Sequence, residues 1–252
     1  METVKAMASA LFAMVLIAIP ACSATAAGKN GTPVVVELFT SEACSSCPPA
    51  DALLTKLNQQ REVNGAEVFV LGEHVDYFNQ LGWTDRFSSR AFSERQNGYA
   101  KRFHLPSAYT PQIVIDGSFE AVGSDSVAVE RELGLAAQAG KMASVGLSWA
   151  APDKLRINVS GASGEPSIVL LAVTEDRLTT SVANGENSGR VLQHSGVVRE
   201  LRQLGTTSAG VFLGTAPITP AQGWKRRDLR VVVFVQQPGS RAIIGAAGLA
   251  LP

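Results

Sequence analysis

The pattern of apolar residues changes once along this chain of 252 residues. Up to about residue 141, short β-branched runs alternate with stretches that carry apolar side chains at helical spacing. From residue 143 onward, most apolar runs are of β type, and turn residues separate them. Strands that alternate with helices form layered α/β domains, whereas many short strands form sandwiches. The sequence therefore predicts an α/β domain over 32–141 and a β-rich, sandwich-like domain over 143–252.

The predicted elements of the first half alternate regularly. Strands are expected at 34–39, 67–71 and 112–115, and helices at 50–60, 85–103 and 124–139. In the second half, β-type runs occur at 145–149, 155–159, 167–173 and 229–235. Residues 197–204 fit either a short helix or a strand.

The N-terminus has the features of a secretory signal peptide. A basic residue, Lys5, precedes an apolar run over 6–21, and small residues follow over 23–27. We therefore expect residues 1–27 to be removed and the mature protein to be periplasmic or secreted. Lipid anchoring at Cys22 is the alternative, and no later segment is long and apolar enough to span a membrane.

The charge balance argues against nucleic acid as a partner. Lys plus Arg and Asp plus Glu each total 22, and aromatic residues make up 6% of the chain. A chain with no net charge lacks the field that attracts polyanions, and few aromatics are present to stack on bases.

The strongest chemical signal is the pair Cys44 and Cys47, which follows a predicted strand and precedes a predicted helix. An exported chain reaches an oxidising compartment, in which a disulfide between two such cysteines can persist. Free N–H groups and the dipole at a helix N-terminus favour a thiolate, the attacking species in disulfide exchange. We expect Cys44, nearer the exposed end, to attack and Cys47, partly buried, to resolve the mixed disulfide.

Two plainer interpretations of the cysteine pair compete with catalysis. Structural zinc needs four ligands, usually from two such pairs, and only one pair is present. A purely structural disulfide is also possible, but so small a loop constrains little of the unfolded chain.

A second motif runs from Tyr109 to Gly117 and places Thr110-Pro111 at the start of a short strand. Proline is allowed there because it need not donate to the strand ladder. If the Thr110-Pro111 bond is cis, the backbone of Thr110 can face the cysteine loop and pair with an extended substrate. An ordinary trans proline at an edge strand is the alternative.

The order strand, C-x-x-C, helix, strand, helix, T-P-strand, helix resembles the thioredoxin superfamily. More closely, the chain is similar to a family of exported bacterial thioredoxin-like proteins of unknown function. The stretches that carry this similarity are ELFTSEACSSCPPAD, HVDYFNQLGWTDRF, YTPQIVIDG and HSGVVRELRQLG. The resemblance implies a mixed central sheet with flanking helices and a cis proline at Pro111 beside the disulfide. Ser45-Ser46 replaces the Gly-Pro of thioredoxin, so the direction of electron flow stays open.

Three residues after the second predicted strand are candidate supporting groups. His74 can stabilise a Cys44 thiolate or move protons, and Asp76 can orient its ring. A loop histidine and a helix-capping aspartate are the plainer interpretation. Trp83 is expected either to shield the site or to pack in the core, and His194 is placed outside the chemistry.

Together these observations predict an exported thiol-disulfide oxidoreductase that exchanges disulfides with protein substrates or a redox partner in the cell envelope. It needs no cofactor beyond the Cys44–Cys47 disulfide. The alternative is a copper-binding or copper-delivery protein, because two thiolates with His74 would form a ligand set suited to Cu(I).

Overall fold

A computed structural model describes residues 31–252. The predicted signal peptide at 1–27 and Cys22 lie outside the described residues. Three helices are present: α1 (Pro48–Gln60), α2 (Arg90–Arg102) and α3 (Ser126–Ala139). Among residues 31–252, every helix is too short or too polar to cross a bilayer.

The described residues form fourteen strands. The first five are β1 (Thr32–Thr40), β2 (Glu62–Val63), β3 (Ala66–His74), β4 (Gln112–Ile115) and β5 (Phe119–Val122). They are followed by β6 (Ser144–Ala151), β7 (Lys154–Ser160), β8 (Ile168–Glu175), β9 (Leu178–Ser181) and β10 (Val191–His194). The last four are β11 (Val197–Thr206), β12 (Phe212–Pro217), β13 (Leu229–Gln236) and β14 (Ile243–Ala250).

A single nine-stranded mixed sheet contains strands from both halves of the chain. Its order is β14-β13-β8-β11-β3-β1-β4-β5, and β2 pairs beside β3. Strands β1 and β3 are parallel, and β4 runs antiparallel to β1. The halves join where β11 meets β3 in a parallel bridge between Val197 and Gly72, beside a 2.7 Å bond from the Gly72 amide to the Gly196 carbonyl.

The predicted fold class is wrong. Of the described residues, 42% lie in strands and 19% in helices, so the protein is mostly β and not an α/β thioredoxin-like fold with flanking helices. Local patterns identify individual strands and helices, but they do not specify that the free edge of β3 pairs with β11. The division into domains at residues 141–143 remains a prediction.

Three of the hydrophobic clusters among the described residues connect the layers. One lies under α1 and α3, and includes Leu54, Leu57 and Leu133. A second packs β6 and β7 against β8 and β13. The third is shared by both halves, since Phe69 and Phe92 pack with Phe234. Burying each large apolar side chain contributes about 1.5–3 kcal/mol.

Local capping sets the helix boundaries. Pro48 and Pro49 occupy the first positions of α1, where backbone N–H groups have no intrahelical partner. Helix α2 was expected to start at residue 85, but the Ser89 side chain accepts a bond from the Ala91 amide, and the helix starts at Arg90. The preceding residues are therefore free to form the turn that contains Asp85.

Candidate functional site

Cys44 and Cys47 form a disulfide in the loop between β1 and α1. The Cys47 amide donates to the Cys44 carbonyl at 3.2 Å, and Cys47 occupies the N-cap position of α1. The α1 N-terminus therefore faces the pair, as the sequence predicts. The expected exposure of Cys44 is wrong: Cys44 is 2% exposed and Cys47 is fully buried, whereas Ser45 and Ser46 between them are exposed.

Thr110 and Pro111 lie against the cysteine loop. The register between β1 and β4 pairs Phe39 with Gln112, which brings the start of β4 beside the end of β1. The Thr110–Pro111 peptide bond is cis, and the Thr110 hydroxyl donates to the Cys44 Sγ at 3.4 Å. The two segments that the sequence singled out therefore meet at one sulfur atom.

His74 ends β3 and is hydrogen-bonded to Asp85, not to Asp76. Its Nδ1 lies 2.6 Å from the Asp85 Oδ2, and that oxygen also accepts the Glu42 amide at 2.8 Å. Burial opposes ionisation of Asp85, but attraction to His74 outweighs it and lowers the pKa of Asp85. Asp76 instead accepts a 2.5 Å bond from the Ser93 hydroxyl, so the role predicted for Asp76 falls to Asp85.

His194 joins this buried group from β10. Its ring lies 4.9 Å, centroid to centroid, from the ring of His74. His194 Nε2 is 3.4 Å from the Glu42 Oε1, and Nδ1 is 3.9 Å from the Asp51 Oδ1. Burial alone would lower the pKa of His194, but the two carboxylates raise it to about 9. The structure therefore places His194 in the candidate site, from which the sequence analysis excluded it.

Glu42 links the two histidines to Trp83. The Trp83 indole donates to the Glu42 Oε2 at 2.8 Å, and Trp83 is half-buried. Burial raises the pKa of Glu42, but the adjacent His194 ring and the hydrogen bond from Trp83 outweigh it, so the net shift is downward. Asp51, one turn after Cys47 on α1, accepts from the Thr40 hydroxyl at 3.3 Å. A buried set of two histidines and three carboxylates thus lies behind the cysteine loop.

Residues 182–190, which we call the hairpin loop, connect β9 to β10 and contact the cysteine loop. The Asn187 amide nitrogen donates to the carbonyls of Glu42 and Cys44, each at 2.9 Å. The Glu186 carboxylate accepts the Ser45 amide at 2.9 Å. The second half of the chain therefore contributes directly to the candidate site.

No group of three or more His, Cys, Asp or Glu residues within 31–252 is arranged to hold a metal ion. His74, which the copper interpretation combines with Cys44 and Cys47, has its Nδ1 hydrogen-bonded to Asp85.

Sequence reasoning missed five residues of the site: Glu42, Asp51, Asp85, Glu186 and Asn187. Glu42 and Asp51 flank the cysteine pair in the sequence, and that proximity could have identified them as site residues. Asp85 and the hairpin-loop residues gave none, because only the tertiary fold brings them to the cysteines.

The fold and site together define a mostly β protein with a buried disulfide at a helix N-terminus, backed by paired histidines and carboxylates. Residues 35–236 match the model of a family described as a protein of unknown function, DUF1223. The chain belongs to this family. None of the curated proteins matches the chain.

Two solved structures are similar over most of the chain. A protein of Agrobacterium tumefaciens is 28% identical, with a TM-score of 0.75, covering 89% of this chain and 97% of that one. The HBP35 protein of Porphyromonas gingivalis is 18% identical, with a TM-score of 0.60, covering 89% of this chain and 77% of that one. The second likeness concerns the fold alone.

Proposed function

We propose that this protein exchanges disulfides with protein substrates in the cell envelope through Cys44 and Cys47. The observation that carries the proposal is the disulfide at the N-terminus of α1 with the Thr110 hydroxyl on its Cys44 sulfur. A hydroxyl donor at that atom and the dipole at the helix N-terminus both favour a thiolate there. The same contacts support a relationship to the thioredoxin superfamily in the cysteine and Thr-Pro motifs, and the predicted signal peptide supports export.

The proposed exchange conserves bonds, protons and electrons in either direction. In the reduced protein, the Cys44 thiolate attacks a substrate disulfide, forming one S–S bond and releasing one substrate thiolate, which takes up a proton. The Cys47 thiol loses its proton and attacks the Cys44 sulfur of the mixed disulfide, which releases the second substrate thiol. Two electrons pass to the substrate, and Cys44–Cys47 is oxidised. The reverse sequence oxidises a substrate dithiol.

The buried acid–base groups suit the proton steps. The network of His74, Asp85, Glu42, His194 and Asp51 contains groups that can accept and return a proton. It lies behind the cysteine loop, away from solvent.

The proposal is tested by trapping the mixed disulfide. With Cys47→Ser, Cys44 has no resolving partner, so we expect a stable adduct with glutathione disulfide, detected as a mass increase. The matched variant Cys44→Ser should form little adduct, because fully buried Cys47 is not the attacking group.

The wild-type protein should also cycle reversibly in glutathione buffers, as measured by alkylation of the thiols. A reduction potential below about −300 mV together with an unreactive Cys44 would identify the pair as a structural bridge. That result would overturn the proposal.

A further inference from the structure

The hairpin loop is ordered by its own hydrogen bonds and lies directly on the candidate site. The Gly189 amide donates to the Val182 carbonyl at 2.8 Å, and the Val182 amide donates to the Arg190 carbonyl at 2.9 Å. Gly185 has a φ of +79°, and a Cβ there would lie 3.2 Å from the Cβ of Trp83. The loop therefore holds a defined conformation against the segment that carries Trp83.

Asn187 attaches this loop to the cysteine loop. Its side chain is fully buried, and its amide nitrogen bridges the carbonyls of Glu42 and Cys44. Among the described residues, its Oδ1 has no hydrogen-bond partner. Because Cys44 is only 2% exposed, a reagent or substrate reaches its sulfur only when this arrangement opens.

Glu186 places a negative charge beside the same cysteine. Its carboxylate is exposed, and the hydrogen bond from the Ser45 amide lowers the pKa of Glu186, which keeps the group ionised. The Ser45 amide belongs to the residue that directly follows Cys44, so the Glu186 carboxylate lies close to the cysteine pair. Glu186 therefore occupies a donor and opposes the negative charge that the reaction needs.

The other charged groups around the cysteine loop come from four segments. They are Glu42 in the loop after β1, Asp51 on α1, His74 and Asp85 in and after β3, and His194 on β10. These five are buried and contact one another. Glu186 alone among the six is exposed, so it is the charge that an incoming molecule can displace.

We propose that the hairpin loop holds the cysteine pair closed, and that an extended polypeptide substrate opens it by placing a backbone carbonyl on the Ser45 amide in place of Glu186. This inference rests on the proposed exchange function. A carbonyl accepts the same hydrogen bond without a full negative charge. Substrate binding would therefore expose Cys44 and favour its thiolate in one step, and the pair would react more slowly without a substrate.

Two variants distinguish the effect of the Glu186 charge from the effect of the hairpin loop that covers Cys44. Glu186→Gln keeps an oxygen that can accept the Ser45 amide but removes the charge. Asn187→Ala keeps the charge but removes both bonds to the cysteine loop. Glu165→Gln, an exposed glutamate in a different loop of the second half, is the control.

The measurement is the rate at which iodoacetamide alkylates Cys44 in the reduced protein, recorded from pH 5 to pH 9. We expect Glu186→Gln to shift the pH profile of the alkylation rate to lower pH and to react about threefold faster at pH 6. This is the size of effect expected when one solvent-screened negative charge is removed. Asn187→Ala should react faster at every pH, with little shift of the profile.

If wild-type protein cycles in glutathione but all three variants match it in rate and profile, the loop does not control the site and this inference fails. If wild-type protein does not cycle at all, the proposed function itself fails. Glu186 is exposed, so Glu186→Gln should fold as the wild-type protein does, and that variant decides the question even where Asn187→Ala is destabilised.

Discussion

The pKa of His194 depends strongly on the side chains around it. As a lone histidine in the sequence it carried no signal, but the fold buries it between the carboxylates of Glu42 and Asp51. Removal from water disfavours its charged form, yet two nearby carboxylates favour it more strongly. A buried charge of this kind contributes to stability only while it is protonated.

The raised pKa of His194 predicts a pH dependence of folding. Its pKa rises from 6.5 in the unfolded chain to about 9 in the folded protein. The folded state therefore binds the proton more tightly, so this stabilisation is complete below pH 6.5 and is lost as the pH rises through about 9. We expect the free energy of unfolding to fall by on the order of 2 kcal/mol across that window.

Urea titrations of the disulfide-bonded protein at several pH values check this prediction. His194→Gln should flatten the slope between pH 6.5 and 9, whereas His104→Asn, at an exposed loop histidine, should retain it. An unchanged slope in His194→Gln would show that the histidine is not charged in the folded protein.

Strand β11 was ambiguous in the sequence, yet its pairing connects the two halves of the chain. Residues 197–204 fitted a helix or a strand, and they form a strand over Val197–Thr206. It pairs antiparallel with β8 along its length and meets β3 at its first residue. The chain reaches this position through Gly196, whose φ is +64°.

Replacing Gly196 tests whether this junction is as tight as its geometry indicates. A Cβ at Gly196 would lie 2.5 Å from the Val70 Cγ2, so alanine must both adopt a left-handed backbone and displace its neighbour. Together these costs amount to about 2–4 kcal/mol.

Gly223→Ala provides the control, because Gly223 has a φ of +89° but open space around it. It should cost only about 1 kcal/mol. Chemical denaturation measures both variants, and equal losses of stability would mean that the close approach to Val70 does not matter.

The two halves of the chain share one core as well as one sheet. Phe69 of β3 and Phe92 of α2 pack with Phe234 of β13. Beside them, Arg95 donates to Glu37 at 2.5 Å and to Gln236 at 3.1 Å, which connects α2 to both β1 and β13. Contacts of this kind should make the halves unfold together.

We therefore expect a single cooperative thermal transition in calorimetry, with equal calorimetric and van't Hoff enthalpies. Phe234→Ala, at a fully buried ring, should lower the stability by about 3–5 kcal/mol and shift that single transition as a whole. Leu213→Ala, at a side chain that is 71% exposed, should have little effect. Two resolved transitions, of which Phe234→Ala moves only one, would show that the halves are energetically independent.

Much of the local structure could be predicted because it depends on neighbouring residues. The apolar periodicity identified the positions of β1, α1, β3, β4 and α3, with strand 112–115 matching in full. The same reasoning placed the cysteine pair between a strand and a helix, and the family resemblance implied the cis Pro111 beside it. Spacing and side-chain chemistry suffice for such inferences because hydrogen bonds and packing within one or two turns act over short stretches of chain.

The fold class and most of the site depended on contacts that no short stretch contains. The pairing of β11 with β3 joined strands from both halves of the chain in one mixed sheet, and the edge of β3 carries no signal for its partner. Likewise, Asp85 displaced Asp76 as the partner of His74, and Asn187 and Glu186 reached the cysteines from over 140 residues away. Burial, charge pairing and access to Cys44 were therefore set by the tertiary structure, because each is a property of groups that only folding brings together.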